Sequence, residues 1–170
     1  EMDSFTFQTV GHQAVAGIAA CMGVPLFRRA ITGGSLNQDL QYRRSVGDEV
    51  EDLRALLEAV QRGVPGGVEA VCSGAIRSDY QRTRVEAVCA DLGLVPLAFL
   101  WRCPQPRLLG EMIEAGMDCA VVKVAALGLD PEKHLGKTLQ QLQAHLEKLH
   151  ALYGCHMCGE GGEYETLTLD

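Results

Sequence analysis

Near the end of the chain the run Gly159-Glu160-Gly161-Gly162-Glu163-Tyr164-Glu165-Thr166 gathers groups that could do chemistry. Its glycines free the backbone to take positive φ and let another group come close. Glu160, Glu163 and Glu165 crowd carboxylates into the same run. If 163–169 is extended, Glu163 and Glu165 share one face and Tyr164 and Thr166 the other. Carboxylates this close repel unless a cation lies between them or one stays protonated. Two readings stand. One is a surface turn entering an edge strand; the other is a loop that grips a cationic ligand or positions an amine.

A second run, Ser73-Gly74-Ala75-Ile76-Arg77-Ser78-Asp79-Tyr80-Gln81-Arg82-Thr83-Arg84-Val85-Glu86, follows a β-like stretch and opens a helix. Ligands of open α/β sheets bind at such strand ends. Gly74 would admit a flat ring or a sugar, and a helix N-terminus favours an anion. Arg77, Arg82 and Arg84 supply forked donors for phosphate or carboxylate. The plainer reading is a capped helix whose arginines pair with Glu86 and Asp91.

The elements that must position these runs follow from periodicity. Val15, Ile18, Ala19 and Met22 predict a helix over 10–22, stopped by Gly23. Pro25 to Ile31 reads as a strand, and Thr32 to Ser45 as a polar loop. Asp48 caps a helix, with Glu51 placed for a capping box. The buried stripe of that helix is Val50, Leu53, Leu56, Leu57 and Val60, and Gly63 ends it. Val68 to Cys72 is β-like. Ser78 or Asp79 caps a helix with Val85, Val88, Cys89 and Leu92 inward. Gly93 ends it, and Leu94 to Trp101 is a strand. This alternation predicts parallel strands with crossover helices. Pro104-Gln105-Pro106 marks a domain boundary. Beyond it come a helix over 108–115, a strand over 118–124, a loop over 125–136 and a helix over 138–153. The last helix carries Leu139, Leu142, Leu146, Leu149 and Leu152 inward, and Gly154 ends it.

The composition, 47% hydrophobic and 22% charged in 170 residues, is that of a globular protein. The net charge of −7 speaks against a general nucleic-acid binder. No apolar run is long enough to span a membrane, and the opening residues do not read as a signal peptide, so a cytoplasmic location is expected. Of seven cysteines, Cys21, Cys72, Cys89 and Cys119 read as small buried hydrophobes suited to a reducing compartment. Cys155-His156-Met157-Cys158 is a lone close pair, too few ligands for a structural zinc, so no metal site is expected in this chain.

Taken together, Gly47–Leu53, Ser73–Glu86, Lys123–Pro131, His134–Lys137 and Gly159–Thr166 resemble, in this order, the diphthine–ammonia ligase family, an ATP pyrophosphatase group of the adenine nucleotide alpha-hydrolase type. The resemblance covers essentially the whole chain. It implies a HUP-like, Rossmann-like parallel sheet over 1–104 and a smaller C-terminal α/β domain over 105–170, which could continue further. It implies amidation of diphthine on translation elongation factor 2 by ammonium, with ATP cleaved to AMP and pyrophosphate through an acyl-adenylate. Magnesium would accompany ATP, with ligands outside this chain. No direct nucleic acid and no membrane are implied.

The resemblance places adenosine near Ser73, Gly74 and Ile76. Asp79, Tyr80, Arg82, Arg84, Lys137, Gly161, Gly162, Tyr164 and Thr166 become substrate-binding candidates. Glu160, Glu163 and Glu165 become catalytic candidates on the acceptor side; with Tyr164 they could cradle a trimethylammonium group. The family's Ser-Gly-Gly-Lys-Asp-Ser pyrophosphate loop is not in this sequence. Its expected place is just before Glu1, after a central first strand, so residues 1–170 alone are expected to fold poorly. Two alternatives are a non-catalytic scaffold of this fold and another ATP pyrophosphatase, such as a tRNA-modifying enzyme. Against the latter stand the acidic charge and the context of Cys155 and Cys158.

Overall fold

The computed structural model describes residues 4–170. They form two compact units, one of residues 13–101 with the N-terminal segment to Thr9, the other of residues 102–170 with Val10–His12.

A 3-10 turn, His12–Ala14, leads into α1, Val15–Met22, the first helix of the first unit. Gly23 closes α1 with φ of 65°. The helix is shorter than its apolar spacing predicts, and of its stripe only Ala19 is buried. Met22 is 68% exposed. Spacing makes a helix amphipathic, but burial needs a neighbouring element as well.

The strand expected over Pro25–Ile31 is not formed. Pro25 has no N–H to give a ladder. At the far end of the segment, the Thr32 and Gly33 N–H groups donate to Asp52 instead, at 2.7 and 2.9 Å. Residues 24–33 are therefore pinned to the next helix, α2, Glu49–Gly63.

Asp48 caps α2 as expected, accepting from the Val50 N–H. The reciprocal half of the capping box is missing. Glu51 accepts from the Tyr42 hydroxyl at 2.7 Å and pairs with Arg54 at 2.9 Å. β1, Ala70–Cys72, α3, Asp79–Leu92, and β2, Val95–Leu97, follow. β1 and β2 pair in parallel, Ala70 opposite Val95 and Cys72 opposite Leu97, with α3 as the crossover. β2 stops at Leu97, well short of the predicted Trp101; the chain turns there, and the Trp101 N–H donates to the Ala98 carbonyl. The core of this unit is Val50, Leu57, Val88, Cys89 and Leu94. Cys21 and Cys72, expected inside, are exposed, whereas Cys89 and Cys119 are buried.

In the second unit α4, Gln105–Glu114, starts three residues before the predicted helix, with Pro106 in its first turn. β3, Cys119–Val124, leads through a short α5, Pro131–His134, to α6, Leu139–Tyr153. Thr138 and Gln141 close a full capping box on α6. Leu139, Leu142, Leu146 and Leu149 are buried, while Leu152 faces solvent. β4, Tyr164–Thr168, pairs antiparallel with β3, across a bulge between Val121 and Lys123. The core joins Leu109, Cys119, Val121, Leu139, Leu142, Leu146, Met157 and Tyr164. No helix is long and apolar enough to cross a membrane among the described residues.

Candidate functional site

In the first unit the strand end is built by β1. The Ser73 N–H extends the parallel ladder to the Leu97 carbonyl at 2.9 Å. Ala75 and Ile76 then turn into the interior, so Ile76 can offer a ligand its main chain only. Gly74 lies between, and a Cβ there would meet no atom within 4 Å. The space beside the strand end is open. Ser78 caps α3 by accepting from the Gln81 N–H at 3.2 Å.

The arginines behind this turn are not arrayed for an anion. Arg82 pairs with Asp79 at 2.9 Å and Glu86 at 2.6 Å, and lies 4.7 Å above the Trp101 ring. Asp91, the other expected partner, takes Arg54 at 2.8 Å. Arg84 is 0% exposed. Its guanidinium donates to the carbonyls of Asn37, Asp39 and Tyr80, and its carbon sits 3.2 Å from the centre of the Tyr80 ring. Tyr80 in turn shares a 2.5 Å hydrogen bond with Ser35. Arg84 and Tyr80, expected to hold substrate, instead clamp the 35–39 loop: a cation this deep needs acceptors, and the main chain supplies them. Arg77 is exposed on the same turn.

In the second unit the glycine-rich run is a tight turn, with Gly159, Gly161 and Gly162 at φ of 73°, 86° and 78°. At Gly159 a Cβ would come within 2.7 Å of the Tyr164 carbonyl oxygen, so glycine is required by space as well as by φ. Gly161 and Gly162 are exposed. Glu163 lies just before β4, and its carboxylate accepts from the His156 N–H. Its main-chain carbonyl accepts from the Ala125 and Ala126 N–H groups at 2.8 and 2.9 Å. Glu165 meets Lys123 at 3.0 Å and the Val10 N–H at 3.3 Å. Glu163 and Glu165 therefore have separate partners. One is turned to His156, the other is neutralised by a lysine of β3.

Tyr164 is not an open cradle. It is 3% exposed within the core, and its hydroxyl donates to the Met157 carbonyl at 2.5 Å. Burial pushes that hydroxyl far above the tyrosine range. Thr166 sits in register opposite Val121. The Lys137 carbonyl accepts from the Val121 N–H while its side chain is exposed.

The third carboxylate, Glu160, is only 10% exposed, and its Oε2 lies 3.5 Å from Nε2 of His156, itself 12% exposed. His156 is the residue that motif reading passed over. In the sequence it stands inside a close cysteine pair, four residues before Glu160. The two cysteines are poor nucleophiles. Burial, with Glu163 nearby, pushes the Cys155 thiol up to about 12, and burial, with Glu160 nearby, pushes Cys158 up to about 11. Among the described residues no group of three or more His, Cys, Asp or Glu side chains is placed to hold a metal ion.

This arrangement is a compact anionic turn in a partly buried setting. Lys123 answers one carboxylate; Glu160 and Glu163 are gathered on a single imidazole-bearing residue.

Two family models match the chain: the diphthamide synthase N-terminal domain over residues 1–96 and the diphthamide synthase C-terminal domain over residues 105–170. Among curated relatives, a diphthine--ammonia ligase of Danio rerio is 56% identical over 170 residues, covering 100% of this chain and 66% of that protein. One of Homo sapiens is 54% identical over 170 residues, covering 100% and 63%. One of Saccharomyces cerevisiae is 48% identical over 186 residues, covering 100% and 27%. The chain thus spans less than two thirds of the length of these relatives.

Proposed function

Because the chain belongs to the diphthamide synthase family, we propose that the protein carrying it is a diphthine--ammonia ligase, which amidates diphthine on translation elongation factor 2 with ammonium at the expense of ATP. The observation that carries this reading is the pairing of Glu160 and Glu163 on His156 while Glu165 is already answered by Lys123. These carboxylates crowd beside a glycine turn, and both substrates, ammonium and the trimethylammonium of diphthine, are cations.

A carboxylate is a poor acyl donor, and ATP supplies the activation by placing AMP on it with release of pyrophosphate. The residues of the first unit fit the adenosine end. Gly74 leaves open space at the strand end, and the main chain of Ser73 and Ile76 flanks it. Magnesium would accompany the triphosphate. In the second unit Glu160 and Glu163 bind and orient the cation, and either carboxylate is able to take a proton from ammonium. Lys123 keeps Glu165 from adding a third negative charge. Asp79 and Arg82 hold the α3 turn that borders Gly74; Gly161, Gly162, Thr166 and Lys137 remain candidates to meet the protein substrate. A reducing, cytoplasmic setting fits this reading.

The test is direct. The intact protein is incubated with ATP, 15N-ammonium chloride and elongation factor 2 bearing diphthine. Label in the modified histidine, dependent on ATP and accompanied by AMP rather than ADP, is the expected outcome. Absence of label from folded, ATP-binding protein overturns the reading.

A further inference from the structure

The segment over residues 125–136, with α5 inside it, is tied down at both ends by main chain and in its middle by two imidazoles. At one end the Ala125 and Ala126 N–H groups donate to the Glu163 carbonyl at 2.8 and 2.9 Å. At the other the Gly136 N–H donates to the Val121 carbonyl at 2.8 Å. Between them Gly128 lies so close to α6 that a Cβ would come within 2.4 Å of Leu149 Cδ2. The Gly128 carbonyl sits 2.9 Å from Nε2 of His145. A carbonyl accepts and does not donate, so this ring carries a hydrogen on Nε2. The His145 ring stacks on that of His134, with centroids 4.6 Å apart and planes 17° from parallel. His134 is 8% exposed, and its Nδ1 accepts from the Asp130 N–H at 2.7 Å. That bond needs a lone pair, so the His134 ring is held neutral with its hydrogen on Nε2.

We propose that the stacked His134 and His145 form a proton-sensitive latch: the middle of the segment stays on α6 while both rings are neutral, and a proton on His134 releases it while the ends hold. Protonation puts a hydrogen on Nδ1, head to head with the Asp130 N–H that donates there. It also sets a charge against the face of a ring that titrates in the same range. Burial, then His145, holds His134 below the usual histidine range, and Lys137 adds to the effect. The Asp130 carboxylate opposes this, but it is engaged by the Glu132 N–H and by Lys133, each at 2.9 Å. On β3, which packs against α5, Cys119 meets Thr168 and Lys123 pairs with Glu165. On α6, Glu147 accepts from Gln143, His150 bonds the Cys155 carbonyl, and Lys148 is exposed. A released His134 takes its proton near its ordinary value of about 6.5 and the docked ring at lower pH. Release therefore grows as pH falls below about 6.5, by up to about tenfold for each unit. The main-chain bonds at the two ends have no titratable partner and stay.

Amide hydrogen exchange of the intact protein at about pH 7.5 and about pH 5, corrected for intrinsic rates, reads the latch residue by residue. The Asp130 N–H is expected to lose protection by about tenfold in acid, while the Ala125 and Gly136 N–H groups change by less than about twofold. Nitrogen NMR of the imidazoles at the higher pH should show His134 and His145 each with a hydrogen on Nε2. His134→Asn places an amide oxygen where Nδ1 was and takes up no proton, so the segment should stay docked at both pH values. His145→Gln keeps an amide N–H for the Gly128 carbonyl and removes the ring that opposes charge on His134, so the release midpoint should move to higher pH.

Equal protection of the Asp130 N–H at both pH values overturns the proposal. So does acid release in His134→Asn that matches the wild type, or protection lost together at Ala125, Asp130 and Gly136, which is the pattern of the whole unit unfolding. A hydrogen on Nδ1 of His134 at the higher pH would remove the lone pair on which the latch depends, and with it the proposal. Should His134→Asn fail to fold, His145→Gln decides: a midpoint that moves up sustains the latch, and one that stays overturns it.

Discussion

Asp48, Glu49 and Asp52 at the start of α2 and Glu160, Glu163 and Glu165 around the glycine turn are clusters of equal size and charge. The fold treats them differently. Asp48 accepts from the Leu36, Asn37 and Val50 N–H groups at 2.9–3.0 Å. Glu49 accepts from the Ser4 and Thr6 hydroxyls, each at 2.7 Å, and from the Thr6 N–H at 3.1 Å. Asp52 takes the Thr32 and Gly33 N–H groups and Arg29. All three are buried at a helix N-terminus, where donors and dipole favour anions. Around the glycine turn the carboxylates meet a histidine main-chain N–H and a lysine instead. A cluster held by N–H and hydroxyl donors of distant segments is a staple for loops.

The sharpest way to break this contrast is to remove an α2 carboxylate. Asp48→Ala strands three N–H groups in the interior and should cost roughly 3–5 kcal/mol, read as a lower urea midpoint. A loss below about 1 kcal/mol would mean that water replaces the carboxylate and that the staple is dispensable.

Glu163→Gln is the matching change in the other cluster. It is expected to lower amidation of diphthine by ten- to a hundredfold, about 1.5–3 kcal/mol in the barrier, with ATP binding and melting temperature little changed. Near-normal turnover would return the turn to an ordinary surface loop. Loss of ATP binding as well would assign it to the nucleotide or the fold.

Gly74→Val asks whether the open strand end is used. A Cβ there would meet no atom within 4 Å, so stability should hold while ATP affinity falls about tenfold by calorimetry. Unchanged affinity would move the adenosine elsewhere.

The smallest effects are those of pH. Burial alone would raise the Asp52 carboxyl, but the Gly33 and Thr32 N–H groups, Arg29 and the Thr32 hydroxyl outweigh it and bring it down to about 2. A depressed carboxylate stabilises the fold above its unfolded value near 4 and loses that contribution as pH falls from about 4 to 2. His134 is held below the usual histidine range by burial and by His145, stacked at 4.6 Å, with Lys137 adding to the effect. Its unfolded form takes a proton first, so stability should decline as pH drops below about 6.5. His134→Gln should flatten the upper part of that profile and Asp52→Asn the lower part, both read from thermal midpoints against pH.

Much of the local structure was legible in the residues themselves. Asp48 caps the helix it was expected to cap, Ser78 is the one of two candidates that caps α3, and Gly23, Gly93 and Gly154 close their helices in the left-handed conformation. The parallel pairing of β1 with β2 followed from strand, helix, strand. These features depend on neighbours within about one helical turn or on one right-handed crossover, and such neighbours are read directly off a sequence. The glycines of the acidic turn announced their positive φ for the same reason.

Partners far along the chain decided the rest. Arg84 is an ordinary helical arginine until the loop 47 residues away puts its carbonyls around it. Glu49 is an unremarked helix residue until Thr6, 43 residues away, fills its oxygens. Glu165 belongs to an acidic run in the sequence and to Lys123, 42 residues away, in the fold. Composition and spacing determined that carboxylates and arginines cluster here. Which of them are consumed by folding depends on burial and on donors brought in from distant segments, and desolvation leaves no buried charge unanswered. Only the tertiary structure could assign those donors, and with them the difference between a staple and a site.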